Sequence, residues 1–253
     1  GWKSVDAKSI VKLLPSALAV ILILSAFYSL PALAQIVPVL EYTELWTEDD
    51  VSPTEPILVS DIYAADLDGD GAIEIISIGD AAGHAELRIG SWNGEDFTLL
   101  KEEEWQIEAD FDTLGKAVYC SDVDDDRIVE ILTSTKSRST PSKGELKIWN
   151  WDRETNTLNV EGSRLWEGAC VKDIAAMDVD GDGVVEIVTV GDAGFPINAQ
   201  LRVLSWDGLT LTEEHVENWQ VDSGFTAADG VGCLGDVDGD GVIEIATAAS
   251  TSD

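Results

Sequence analysis

From Leu58 onward the chain is built from two kinds of apolar pattern. Near-continuous β-branched runs, Ile73 to Ile78, Ile128 to Thr133 and Val184 to Val190, are each followed by a strictly alternating run that ends in Trp. The alternating runs are Glu86-Leu87-Arg88-Ile89-Gly90-Ser91-Trp92, Glu145 to Trp151 and Gln200 to Trp206. Period-two alternation places successive side chains on opposite faces of a strand, and no comparable stretch carries a sustained helical stripe. The pattern predicts strands throughout. Asn93-Gly94 and Asp207-Gly208 predict tight hairpins, because a primed turn needs positive φ at its central positions. A further strand follows, closing at Trp105, Trp166 and Trp219, and one more precedes each unit, such as Leu58 to Ala65.

An acidic stretch interrupts each unit after its first strand. Its four copies contain Asp66, Asp68, Asp70, Ala72 and Glu74; Asp122, Asp124, Asp126, Ile128 and Glu130; Asp178, Asp180, Asp182, Val184 and Glu186; and Asp236, Asp238, Asp240, Val242 and Glu244. The first aspartates are 56, 56 and 58 residues apart. A constant period of this kind marks a solenoid or propeller made from one supersecondary unit. Four antiparallel strands in a unit of this size make a propeller blade. The expected fold is therefore all-β: a β-propeller of four-stranded antiparallel blades that is incomplete, with three full blades, part of a fourth and an N-terminal closing strand. The blades fall at about 56–106, 113–167, 169–220 and 226–253, and Val39 to Trp46, within a linker at 35–55, matches an outermost strand. A chain that ended there would be an open arc with a face prone to self-association. The repeated Trp residues are read as core between blades, with sugar stacking as the alternative.

Carboxylates at alternate positions, then Gly and a later Glu, would repel one another unless a cation joined them. Ca²⁺ suits the site because it accepts six to eight oxygens in flexible geometry, whereas Mg²⁺ wants a tight octahedron. In each copy the three Asp and the Glu are the expected side-chain ligands, with the backbone carbonyl of Ala72, Ile128, Val184 or Val242 beside them. An EF-hand would need Glu at the twelfth position and flanking helices. That position holds Ser77, Thr133, Thr189 and Thr247, and strand formers follow.

This loop, placed between the first two strands of a β unit, resembles the calcium-binding FG-GAP repeats of integrin α-subunit propellers and the VCBS-type repeats of secreted microbial proteins. The resemblance covers about residues 39–253. It implies a seven-bladed ring with calcium loops on one face and ligand contacts largely on the other. The Phe-Gly and Gly-Ala-Pro elements are not recognisable, and Glu stands at the ninth position where the family usually has Asp. The second copy departs further: Arg127 takes the glycine position and Asp125 adds an acid, so this site is expected to be weak, or its acids to pair with Arg127.

Charge narrows the function classes. With 15 Lys plus Arg against 49 Asp plus Glu, net −34, the chain lacks the clustered cations that nucleic acid or anionic lipid would need. Lys3, Lys8 and Lys12 precede an uncharged run from Leu13 to Leu40 containing Ala32-Leu33-Ala34. That pattern predicts a signal peptide over 1–34, with an uncleaved anchor as the alternative, and a secreted or cell-surface location. Cys120, Cys170 and Cys233 match no zinc or redox spacing and are read as buried free thiols.

Three function classes remain. The leading expectation is a calcium-stabilised module that binds an extracellular protein or polysaccharide, by adhesion and without catalysis. The loops Asp80 to His84, Ser134 to Lys143 and Asp192 to Ala199 vary and are candidates for contact. No nucleophile-elbow, zincin or phosphate-loop motif is present, and His84 and His215 are the only histidines, so no catalytic residue is assigned. The first alternative is the propeller of a polysaccharide lyase; the second is a structural surface-layer spacer.

Overall fold

A computed structural model describes residues 58–194, 197–220 and 225–252. The expected signal segment and the strand at Val39 to Trp46 lie outside these residues. No helix among the described residues is long and apolar enough to cross a membrane.

Among the described residues fourteen strands form three four-stranded antiparallel sheets and one two-stranded pair. The first sheet runs β1 (Leu58–Ala65), β2 (Glu74–Ala81), β3 (His84–Trp92), β4 (Phe97–Trp105) in sequence order. The second is β5 (Thr113–Ser121), β6 (Glu130–Ser137), β7 (Lys143–Asp152), β8 (Thr157–Glu167). The third is β9 (Ala169–Met177), β10 (Glu186–Ala193), β11 (Asn198–Trp206), β12 (Leu211–Trp219). β13 (Phe225–Gly235) pairs with β14 (Glu244–Ser252). The all-β class and the four-stranded antiparallel unit are as the pattern predicts.

Sheets pack face to face in chain order. β5 lies against β1, β2 and β3; β9 against β5, β6 and β7; and β13 against β9, β10 and β11. Middle strands are therefore covered on both faces, which is why they read as unbroken β-branched runs. Ile76, Ile78, Ile131, Leu132 and Ile187 have no exposure, whereas outermost strands such as β4 and β12 are largely accessible. Truncating one of these buried side chains, for example Ile131→Ala, costs about 2–5 kcal/mol.

The repeated Trp residues join neighbouring sheets. Trp105 of β4 meets Trp149 of β7 at 5.0 Å between ring centroids, donates Nε1–H to Glu145, and has Lys147 4.6 Å from its ring centre. One sheet later, Trp166 donates to Glu213 beneath the Arg202 guanidinium, 4.5 Å from the ring. A cation of the third strand thus stacks on the closing Trp of the sheet before it.

Two local expectations are corrected. Asn93-Gly94 and Asp207-Gly208 do not form two-residue primed turns: Trp92 pairs with Phe97 and Trp206 with Leu211, leaving four-residue loops. Asn93 Oδ1 accepts from the amides of Glu95 and Asp96, and Asp207 Oδ1 from Leu209 and Thr210, so the side chain caps a longer turn. The two-residue turn with both residues at positive φ is instead Ala82-Gly83, between β2 and β3. It shortens the variable loop expected at Asp80 to His84.

Candidate functional site

All four acidic stretches fold the same way. The amide at the sixth position donates to the first aspartate: Gly71 to Asp66, Arg127 to Asp122, Gly183 to Asp178 and Gly241 to Asp236, at 2.9–3.0 Å. The seventh amide donates to the third aspartate of its loop: Ala72 to Asp70, Ile128 to Asp126, Val184 to Asp182 and Val242 to Asp240. Ile128, Val184 and Val242 leave their side chains exposed, consistent with positions used through their backbone.

The closing glutamate does more than the pattern foretold. Glu74, Glu130, Glu186 and Glu244 each open the second strand and accept, through Oε2, the amide of the residue after the first aspartate: Leu67, Val123, Val179 and Val237. Glu74, Glu130 and Glu186 are almost wholly buried. Burial raises their pKa above the ordinary carboxylate value, to about 8 for Glu130, with the loop aspartates pushing the same way. Burial favours the neutral form of these carboxyls, and a neighbouring cation would favour the ionised form.

Both oxygens of Asp178 and of Asp236 accept backbone amides, whereas the first two loops leave some carboxylate oxygens without one. Asp66 Oδ1, Asp122 Oδ1, Asp124 Oδ1 and Glu130 Oε1 are buried with no hydrogen-bond partner. Oxygens within 4.8 Å of one another come from Asp66, Asp68 and Asp70; from Asp122, Asp124 and Glu130; from Asp178, Asp180 and Glu186; and from Asp236, Asp238, Asp240 and Glu244. The fourth loop thus assembles all four expected carboxylates, while Glu74, Asp126 and Asp182 stand outside their groups. A donor set of converging carboxylate oxygens fits a hard cation.

Arg127 adopts φ +75° and Asp125 φ +61°, the left-handed conformation that glycine takes in the other loops. Arg127 is exposed and forms no ion pair with the loop acids among the described residues. Asp68 instead meets Arg153 of the next sheet at 3.6 Å.

Clefts lie beside the first two loops, where each meets the following sheet. One of about 690 Å³ is lined by Asp68, Arg127, Trp151, Arg153 and Glu161; one of about 450 Å³ by Asp124, Asp182, Glu186, Trp206 and Asp207. Cys120 and Cys170 are buried free thiols, and burial pushes both upward in pKa. His215 is exposed on β12, 3.8 Å from Glu217.

No family model matches the chain, and no curated protein does. Solved structures do. The Bacillus licheniformis rhamnogalacturonan lyase PL11 superposes with a TM-score of 0.52 at 17% identity, over 76% of this chain and 40% of its own. The exotype rhamnogalacturonan lyase YesX gives 0.50 at 16% identity, over 77% and 40%. This chain shares their fold and spans about two fifths of their length. These neighbours overturn the expectation of a non-enzymatic module, because the fold is one on which lyases are built. The expectation leaned on missing local motifs, but proton abstraction from a sugar needs only a base and a charge partner, which separate sheets can supply.

Proposed function

We propose that the chain is the calcium-binding portion of a β-propeller that belongs to a secreted polysaccharide lyase acting on an acidic polysaccharide. The observation that carries this reading is the likeness to two rhamnogalacturonan lyases over three quarters of the chain. The successive face-to-face packing of four-stranded sheets supports a radial array. Ile62 of β1 is 47% exposed where its counterparts Val118 and Ile174 are 3% exposed, which leaves β1 the face that a preceding blade would cover.

In this reading Asp66, Asp68 and Asp70, Asp122, Asp124 and Glu130, Asp178, Asp180 and Glu186, and Asp236, Asp238, Asp240 and Glu244 hold calcium. The ion supplies the positive charge that lets these carboxylates converge. The residues themselves fix the loop against the second strand, through the buried glutamate and its amide partner. The loop repeats are of the FG-GAP or VCBS kind, and secretion into a calcium-rich medium allows affinities of about 10⁻⁴ to 10⁻³ M to suffice.

Two measurements test the proposal. Incubation with rhamnogalacturonan and polygalacturonate in calcium should release unsaturated sugar, read by ultraviolet absorbance; no product and no loss of polymer length across such a panel would reject a lyase. Calorimetric titration should find at least three calcium equivalents, and fewer than two would reject the metal assignment.

A further inference from the structure

Each of the four sheets carries a bulge near the start of its first strand. The ladder skips Ser60 between Val59 and Asp61, Lys116 between Gly115 and Ala117, Lys172 between Val171 and Asp173, and Asp229 between Ala228 and Gly230. A bulge takes one residue out of the ladder and re-aims its side chain. The position is built into the packing: a Cβ on Gly115 would stand 2.4 Å from the Gly79 carbonyl oxygen of the preceding sheet. Because the acidic loops leave from the other end of the same strands, the bulges lie at the opposite end of the sheets.

The residues placed there are not equivalent. Lys172 is neutralised, with its ammonium 2.7 Å from Asp229 Oδ1 and 3.3 Å from Asp192 Oδ2. Lys116 has no carboxylate within ion-pair distance among the described residues. Lys136, opposite Leu114 on β6, is likewise unpaired. Lys116 feels both Lys136 and Lys172, with Asp80 as the opposing acid, and burial together with these like charges lowers its pKa. Among the described residues, the cations outside these ion pairs are Lys116, Arg127, Lys136 and Arg164. Two of these four share one corner of one sheet. In a chain of net −34, two half-buried ammonium groups at one end of one sheet, each acting on the other and neither ion-paired among the described residues, form a place for an external anion.

We infer that Lys116 and Lys136 form a subsite for the carboxylate of an acidic saccharide, at the end of the second sheet opposite its acidic loop. The saccharide nature of the ligand rests on the proposed lyase function; the carboxylate chemistry rests on the two lysines. A carboxylate bridging the ammonium groups would relieve their repulsion and form two charge-assisted hydrogen bonds. A polymer with at most one carboxylate per sugar tolerates the surrounding negative field better than nucleic acid, which carries a charge every ~1.7 Å.

The test is calorimetric titration of the full chain, calcium-saturated and at low salt, with a galacturonate oligomer. Lys116→Met and Lys136→Met should each weaken binding about tenfold or more, while Lys116→Arg retains most of it. Lys101→Met is the control: that ammonium pairs with Glu103 at 3.6 Å on β4, and its loss should change nothing. No binding by the unaltered chain, or equal binding by the Lys116→Met and Lys136→Met variants with native circular dichroism, would overturn the subsite. The lyase proposal fails separately, by absence of unsaturated product. Lysine-dependent binding without turnover would leave the subsite standing alone.

Discussion

The second acidic loop and the third differ in sequence where they agree in shape. Gly181 and Gly183 of the third sit at φ +79° and +95°; Asp125 and Arg127 of the second hold the same places at +61° and +75°. The bonds coincide as well: Arg127 N to Asp122 Oδ2 and Gly183 N to Asp178 Oδ2 are both 3.0 Å, and Glu130 and Glu186 cap Val123 and Val179 alike. The loop is therefore shaped by carboxylate-to-amide bonds and by the buried glutamate. Glycine lowers the cost of that shape without dictating it. A left-handed L-residue costs about 1–2 kcal/mol, less for Asp, and the second loop carries that cost.

The largest expected effect separates the loops by affinity. Each calcium site filled at one hundred times its Kd adds ~2.7 kcal/mol to stability, so several sites together outweigh any single substitution. Chelation should lower the melting temperature by about 5–10 °C per such site, at ~2–4 °C per kcal/mol for a chain of this size. Titrating calcium back should restore most of the loss in one phase and the remainder, from the second loop, at higher concentration. A single phase that restores everything would erase the distinction between the loops.

Next in size is the buried glutamate. Glu186→Ala and Glu130→Ala each strand a backbone amide and open a cavity, an expected loss of about 3 kcal/mol even without calcium. Glu130→Gln separates the two roles of that side chain, because the amide oxygen can still accept from Val123 while the charge is gone. In chelator it should be neutral or stabilising, since burial disfavours the ionised form; in calcium it should weaken the second site. Urea unfolding in each condition reads the difference, and an equal effect in both would mean that the Glu130 charge has no part in calcium binding.

The strands, their order and the four acidic loops could be read directly from the chain, because each is written locally and repeated. What could not be read was set by contacts between strands. Nothing near Lys116 announces a bulge, although aligning the copies puts Ser60, Lys116 and Lys172 at one position. Glu130 was recognisable as an acid of the loop, but its second task depends on the Val123 amide meeting it across the turn. Local motifs record chemistry adjacent in sequence, whereas Lys116 and Lys136, 20 residues apart, come to one end of the second sheet only because β5 pairs with β6.

The smallest effects test the backbone itself. Arg127→Gly should stabilise the chain by about 1 kcal/mol, by relieving the left-handed Arg, and should tighten calcium at the second loop by removing a nearby cation. The reverse change, Gly183→Arg, should cost the third loop a similar amount; a Cβ at Gly183 meets nothing within 4 Å, so conformation and not collision is what it tests. Asp125→Gly should gain only a few tenths of a kcal/mol, because Asp tolerates positive φ through its short polar side chain. If Asp125→Gly gained as much as Arg127→Gly, strain alone would explain the second loop. If only Arg127→Gly changed calcium affinity, the arginine's charge would be the feature that sets this loop apart.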